Sequence, residues 1–81
     1  MKAEIYTKTT CPFCVQALEL LEARGIETVN HVMDNSPLEL MEAKKQYNHG
    51  TVPIVIIDGE YIGGNDDLRQ FDSEGKLTAS A

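Results

Sequence analysis

Cysteine is scarce here: two residues in 81, Cys11 and Cys14, with only Pro12 and Phe13 between them. No further cysteine spans the chain, which excludes the disulfide scaffold of a small secreted domain. A bridge between these two closes a tiny loop and withdraws little entropy from the unfolded chain, so it is a poor staple. Two thiols cannot close a four-ligand zinc site either. His31 and His49 stand alone in the sequence and are expected as a strand residue and a loop residue, so no metal site is expected. Cations are also few: 7 Lys and Arg against 13 Asp and Glu, a net charge of −6. Nucleic acid needs clustered Lys and Arg and is not an expected partner. The acidity disfavours anionic membrane surfaces and suits solubility. Long apolar runs are missing as well, and the opening MKAEIYT has no cleavage-site pattern. Neither a signal peptide nor a membrane span is expected. The expectation is a cytoplasmic monomer in a reducing compartment, with one domain over residues 1–81.

What the chain does have is alternation and punctuation. KAEIYT, Lys2 to Thr7, alternates as a strand does. Cys14, Ala17, Leu18 and Leu21 then fall on one helical face, and Arg24-Gly25 closes that helix. ETVNHV is a second, weaker strand. Ser36 as N-cap, Pro37 at the first helical position and Glu39 as capping-box partner open a second helix. Its expected buried face is Leu40, Ala43 and Tyr47, with Met41 beside it; Met33 and Met41 are expected to pack. IVII, Ile54 to Ile57, is apolar on both faces and reads as a central strand. Asp58-Gly59 turns the chain back through Tyr61-Ile62. Asn65-Asp66-Asp67 cap a short last helix through Phe71, followed by a tail with little to pack beyond Leu77. The order β-α-β-α-β-β-α predicts an α/β fold. A right-handed parallel β-α-β unit plus the hairpin gives a four-stranded mixed sheet in a three-layer sandwich.

The position of the cysteines favours reactivity. Pro12 fits the first helical position, which makes Cys11 the N-cap. Its sulfur then faces the unpaired N–H groups of Phe13 and Cys14 at the positive end of the helix. Both effects favour the thiolate, and Lys8 adds a nearby positive charge. Cys14 lies one turn on, on the core side. It is expected to be less exposed, nearer an ordinary thiol, and within reach of Cys11. Stabilising a thiolate raises its concentration but lowers its nucleophilicity, and the two roughly cancel. What survives is leaving-group quality, which suits a catalyst that must turn over.

Three blocks in order, Thr10-Cys11-Pro12-Phe13-Cys14, Thr51-Val52-Pro53 and Gly63-Gly64-Asn65-Asp66-Asp67-Leu68, resemble the motifs of a dithiol glutaredoxin. The resemblance covers nearly the whole chain. It implies a thioredoxin-like fold with three helices flanking the sheet. It implies glutathione as reducing co-substrate with no tightly bound cofactor, and glutathionylated or disulfide-containing proteins as partners. Carried over by position, Cys11 is the nucleophile and Cys14 the resolving thiol. Lys8 and Gln46 lie where the glycine carboxylate of glutathione is met. Val52 pairs its backbone with the glutathione cysteine, Pro53 is a cis-proline, and Thr51, Gly64 and Phe13 (in place of Tyr) border the site. Asn65 and Asp66 hold the γ-glutamyl end, although Asn65 stands where the family more often has Cys or Ser.

The chemistry is sensible without the family. Glutathione carries two carboxylates and one ammonium. Gly63-Gly64 and the helix start beyond them offer backbone N–H groups to a carboxylate. Asp66 suits the ammonium. Val52 offers a one-residue form of strand addition. Two other classes compete: a redoxin fed directly by thioredoxin reductase, and a module binding a [2Fe–2S] cluster with glutathione between two chains. The Gly63–Asp67 block speaks against the first. Pro12, which stiffens the loop that would have to open, speaks against the second.

Overall fold

The computed structural model describes residues 1–78. The last three residues of the expected tail, 79–81, lie outside the described residues. The elements are β1 (Lys2–Thr7), α1 (Pro12–Ala23), β2 (Glu27–Val32), α2 (Pro37–Gln46), β3 (Ile54–Ile57), β4 (Glu60–Gly63) and α3 (Asn65–Ser73). The sheet order is β2-β1-β3-β4. β1 and β2 are parallel, while β1–β3 and β3–β4 are antiparallel.

Strand alternation sorts the core into two layers. Ala3, Ile5, Val55 and Ile57 face α1 and α3, joining Ala17, Leu21, Ile26, Leu68 and Leu77 in the larger cluster. Ile54 and Ile56 point the other way, to Ala43 of α2, with Tyr6 and Tyr47 packed around them. That is why IVII is buried at every position. The result is the expected four-stranded mixed sheet with three helices, a thioredoxin-like sandwich. Among the described residues, no helix is long and apolar enough to cross a membrane.

The punctuation works as chemistry dictates. Gly25, at φ +69°, takes the left-handed position after α1, and the Ile26 N–H returns to the Leu21 carbonyl. Asp58 and Gly59 are both left-handed, as a two-residue primed hairpin turn requires. Arg24, past the last turn of α1, forks onto Asp72 of α3 at 2.7 and 2.9 Å.

Three details differ from expectation. Pro37 opens α2, but Ser36 makes no side-chain cap. Its backbone N–H is already bonded to the Met33 carbonyl, so Glu39 has no free donor to reach back to and no capping box forms. Met41 is exposed, as is Leu38, because α2 covers only the narrow strip over Ile54 and Ile56. Finally, Asn65 and Asp66 cap nothing. Gly64 is the N-cap of α3, and the Asp67 carboxylate alone turns back to the Gly64 N–H.

Candidate active site

Sequence places Cys11 between a strand end and a proline, and the fold turns that into a fixed geometry. β1 ends at Thr7, and the loop after it is pinned by Asp34. One Asp34 oxygen accepts the Thr9 N–H at 3.0 Å, and the other accepts the Thr9 hydroxyl. The Thr9 hydroxyl, then the Thr9 N–H and nearby Lys8, hold the Asp34 carboxyl below the usual carboxylate range. The Cys11 N–H closes the loop onto the Lys8 carbonyl at 3.2 Å. Cys11 is then the N-cap of α1, and its Sγ accepts the Cys14 N–H at 3.1 Å. The Cys11 thiol also points at the Val52 carbonyl oxygen, 3.8 Å away.

Cys14 is the opposite case. It is 1% exposed and sits under the first turn. Burial, reinforced by Cys11 beside it, pushes its thiol up to about 12, against a smaller lowering by a Lys8 backbone hydrogen bond. The expectation of a nearly ordinary thiol is therefore corrected, because the core face is drier than spacing alone suggests. Both cysteines are free thiols. Cys14 is neutral at pH 7 and holds its proton until another group takes it.

A cleft of about 250 Å³ opens beside Cys11, lined by Phe13, His49, Thr51, Val52, Pro53, Gly64, Asn65, Asp66 and Asp67. The Val52–Pro53 peptide is cis. Gly63 lies at φ +131°, and a Cβ there would stand 2.6 Å from the Asp67 carboxyl carbon, so only glycine fits this approach to α3. Seven of the sequence-identified residues thus share one wall: Phe13, Thr51, Val52, Pro53, Gly64, Asn65 and Asp66. Lys8 and Gln46 are elsewhere. Lys8 borders a second depression with Met33, Asp34, Pro37, Leu40, Met41 and Lys44. Gln46 is exposed at the end of α2.

Two cleft residues escaped the sequence. His49 lines it, bonded through Nδ1 to the Tyr61 hydroxyl at 2.6 Å. Its nearness to Thr51-Val52-Pro53 was the available signal. Asp67 lines it too, as the α3 cap. Among the described residues, no group of three or more His, Cys, Asp or Glu is placed to hold a metal.

A thiol sulfur at a helix N-cap, a buried thiol one turn below and a cleft of mixed polar and apolar lining alongside form a dithiol exchange site. Comparison with known proteins agrees. The glutaredoxin family model matches residues 3–62. A probable glutaredoxin of Synechocystis is 42% identical over 78 residues, covering 94% of this chain and 88% of that protein. The solution structure of the dithiolic glutaredoxin 2-C-Grx1 of Trypanosoma brucei brucei is similar at TM-score 0.82 and 42% identity, covering 94% of this chain and 81% of that one. A buckwheat glutaredoxin–glutathione complex is similar at TM-score 0.83 and 28% identity, covering 93% and 71%. By sequence and by fold, this chain belongs to the glutaredoxin family and is a thiol–disulfide oxidoreductase.

Proposed function

We propose that the chain is a glutathione-dependent oxidoreductase that reduces glutathione mixed disulfides and protein disulfides through Cys11 and Cys14. The observation that carries this is the position of the Cys11 sulfur at the cleft edge, beside the Val52 backbone. An extended tripeptide pairing with Val52 brings its own sulfur to Cys11. Its γ-glutamyl carboxylate meets the N–H groups at the start of α3, and its ammonium meets Asp66. Its glycine carboxylate is left for Lys8, which lies outside the cleft. Support for this occupant also comes from the buckwheat relative, which was solved with glutathione.

The reaction balances as two exchanges. The Cys11 thiolate attacks the glutathione sulfur of a mixed disulfide, the old S–S bond breaks, and the protein thiolate leaves. A second glutathione thiolate then attacks the glutathione sulfur on Cys11. Oxidised glutathione forms, and Cys11 leaves as the thiolate that the Cys14 N–H stabilises. When the substrate is a disulfide between protein thiols, Cys11 is first trapped on its partner. Cys14 then attacks the Cys11 sulfur, its proton passing to the departing partner thiolate. The Cys11–Cys14 disulfide forms, the partner is freed, and two glutathiones reduce the enzyme disulfide with release of oxidised glutathione. Release of the partner is fast because a neighbouring thiol has a far higher effective concentration than free glutathione. As a glutathione-dependent reductase the chain would act as a monomer in a reducing cytoplasm, where thiol reductants of this kind are maintained.

The test is turnover with alternative electron sources. Glutathione, glutathione reductase and NADPH should sustain reduction of a glutathionylated peptide. Thioredoxin reductase with NADPH should not. Turnover with thioredoxin reductase alone overturns the assignment to glutathione.

A further inference from the structure

Gln16 has no part in the chemistry above. It stands on α1, two residues beyond Cys14, and its Oε1 accepts from two donors on α3: Asn65 Nδ2 at 3.2 Å and Arg69 Nη2 at 3.1 Å. The direction of this chain is set by chemistry. A guanidinium only donates, so Gln16 must turn its oxygen toward Arg69. That oxygen takes its second hydrogen bond from a donor, so Asn65 turns its NH2 to Gln16 and its Oδ1 the other way. Asn65 is 6% exposed, and this Oδ1 is buried without a partner. A buried orphan acceptor is unfavourable, and a free amide would rotate to relieve it. Gln16 and Arg69 together prevent that rotation.

Asn65 is the first residue of α3 and part of the cleft wall. We propose that Gln16 and Arg69 are positioning residues that lock the Asn65 amide. They thereby hold the first turn of α3 at a fixed offset from the first turns of α1. The inference rests on the glutathione reading: the offset sets how one ligand reaches both the α3 N–H groups and the Cys11 sulfur. The same two helices are tied a second time by the Arg24–Asp72 fork, at their far ends. That fork supplies a control, because its loss loosens the α1–α3 pair without touching the cleft.

The experiment measures KM and kcat on a glutathionylated peptide, with thermal stability, for wild type, Gln16→Leu, Gln16→Glu, Arg69→Ala and Arg24→Ala. Gln16→Leu should raise KM about three- to tenfold with kcat nearly unchanged, as expected for a lost ground-state contact. Gln16→Glu should restore KM to within about twofold, because a carboxylate oxygen still accepts from both donors. Arg69→Ala should raise KM in the same direction by less, and it carries the test if Gln16→Leu fails to fold. Arg24→Ala should lower stability and leave KM alone. An unchanged KM in Gln16→Leu or, if that variant does not fold, in Arg69→Ala overturns the inference. So does an equal rise in Gln16→Glu, or an equal rise in Arg24→Ala. A wild-type enzyme that does not use the glutathionylated peptide overturns the functional reading as well, so the two failures are distinguishable.

Discussion

Two helices open toward the same cleft, and they treat their N-termini differently. At the start of α1 the chain supplies its own acceptor: Cys11 Sγ takes the Cys14 N–H at 3.1 Å. At the start of α3 the N-cap is Gly64, which has no side chain to offer. Asp67 turns its carboxylate back to the Gly64 N–H at 3.1 Å, outside the helix proper. The first N–H groups of α3 have no partner within the helix. One terminus is filled by the protein and the other is open to a guest. Under the proposed function, this division suits a catalyst that holds its nucleophile permanently and its co-substrate only briefly.

The largest test of that division lies in the cysteines. Cys11→Ser should abolish turnover on every substrate. Cys14→Ser should separate substrates: deglutathionylation continues at the wild-type rate or faster, while dithiol-dependent reduction of a protein disulfide falls about tenfold or more. Parallel assays with a glutathionylated peptide and a disulfide-bonded protein check this. Equal loss of both activities in a folded Cys14→Ser variant would break the comparison.

Next in size is the approach to α3. Gly63→Ala forces a side chain into the left-handed region and against Asp67. The strain should cost about 1–3 kcal/mol. Each kcal/mol lost lowers the melting temperature by about 4–8 °C in a domain of this size. Thermal denaturation checks it, and an unchanged melting temperature contradicts it.

The ligand contacts come third. Asp66→Ala removes a charge-assisted contact worth roughly 1.5–3 kcal/mol when well formed, hence about ten- to a hundredfold in kcat/KM for glutathione mixed disulfides. Lys8→Ala should fall at or below the low end of that range, since Lys8 is exposed and lies outside the cleft. Unchanged kinetics in both variants would show that the open terminus is not the glutathione site.

The last effect is invisible at neutral pH. The buried Cys14 thiol sits at about 12, against 9.0 for a free one. The unfolded chain therefore loses this proton first. Stability is complete below about pH 9 and declines as pH rises toward 12. Tyr6 and Tyr61, both raised mainly by burial, add to the same decline. The difference between wild type and Cys14→Ala isolates the cysteine. Wild type should lose stability more steeply from about pH 9 upward, and parallel curves would contradict a buried neutral thiol.

The sequence revealed what depends on local order and missed what depends on distant company. Strands β1, β2 and β3 match their expected spans residue for residue, because alternation and β-branching are local signals. The Cys11 N-cap was legible because Pro12 fixes the helix start. The failed Ser36 cap was not, since the competing acceptor, the Met33 carbonyl, reaches Ser36 only through the turn after β2. Thr9–Asp34 and Gln16–Asn65 join residues 25 and 49 positions apart. No periodicity encodes such pairs. Asp67 was grouped with Asn65 and Asp66 as one capping cluster, yet the helix register gives the three separate tasks: a buried wall, an exposed carboxylate and the cap.

The most direct measurement is the order in which the two thiols react. The reduced native protein is treated with iodoacetamide at neutral pH, and each cysteine is read by mass spectrometry over time. Cys11, at the helix mouth and partly exposed, should be alkylated quickly. Cys14, buried and protonated, should stay unmodified until the protein is denatured. Labelling of Cys14 first, or of both at equal rates, would contradict the claim that α1 holds the nucleophile at its N-terminus.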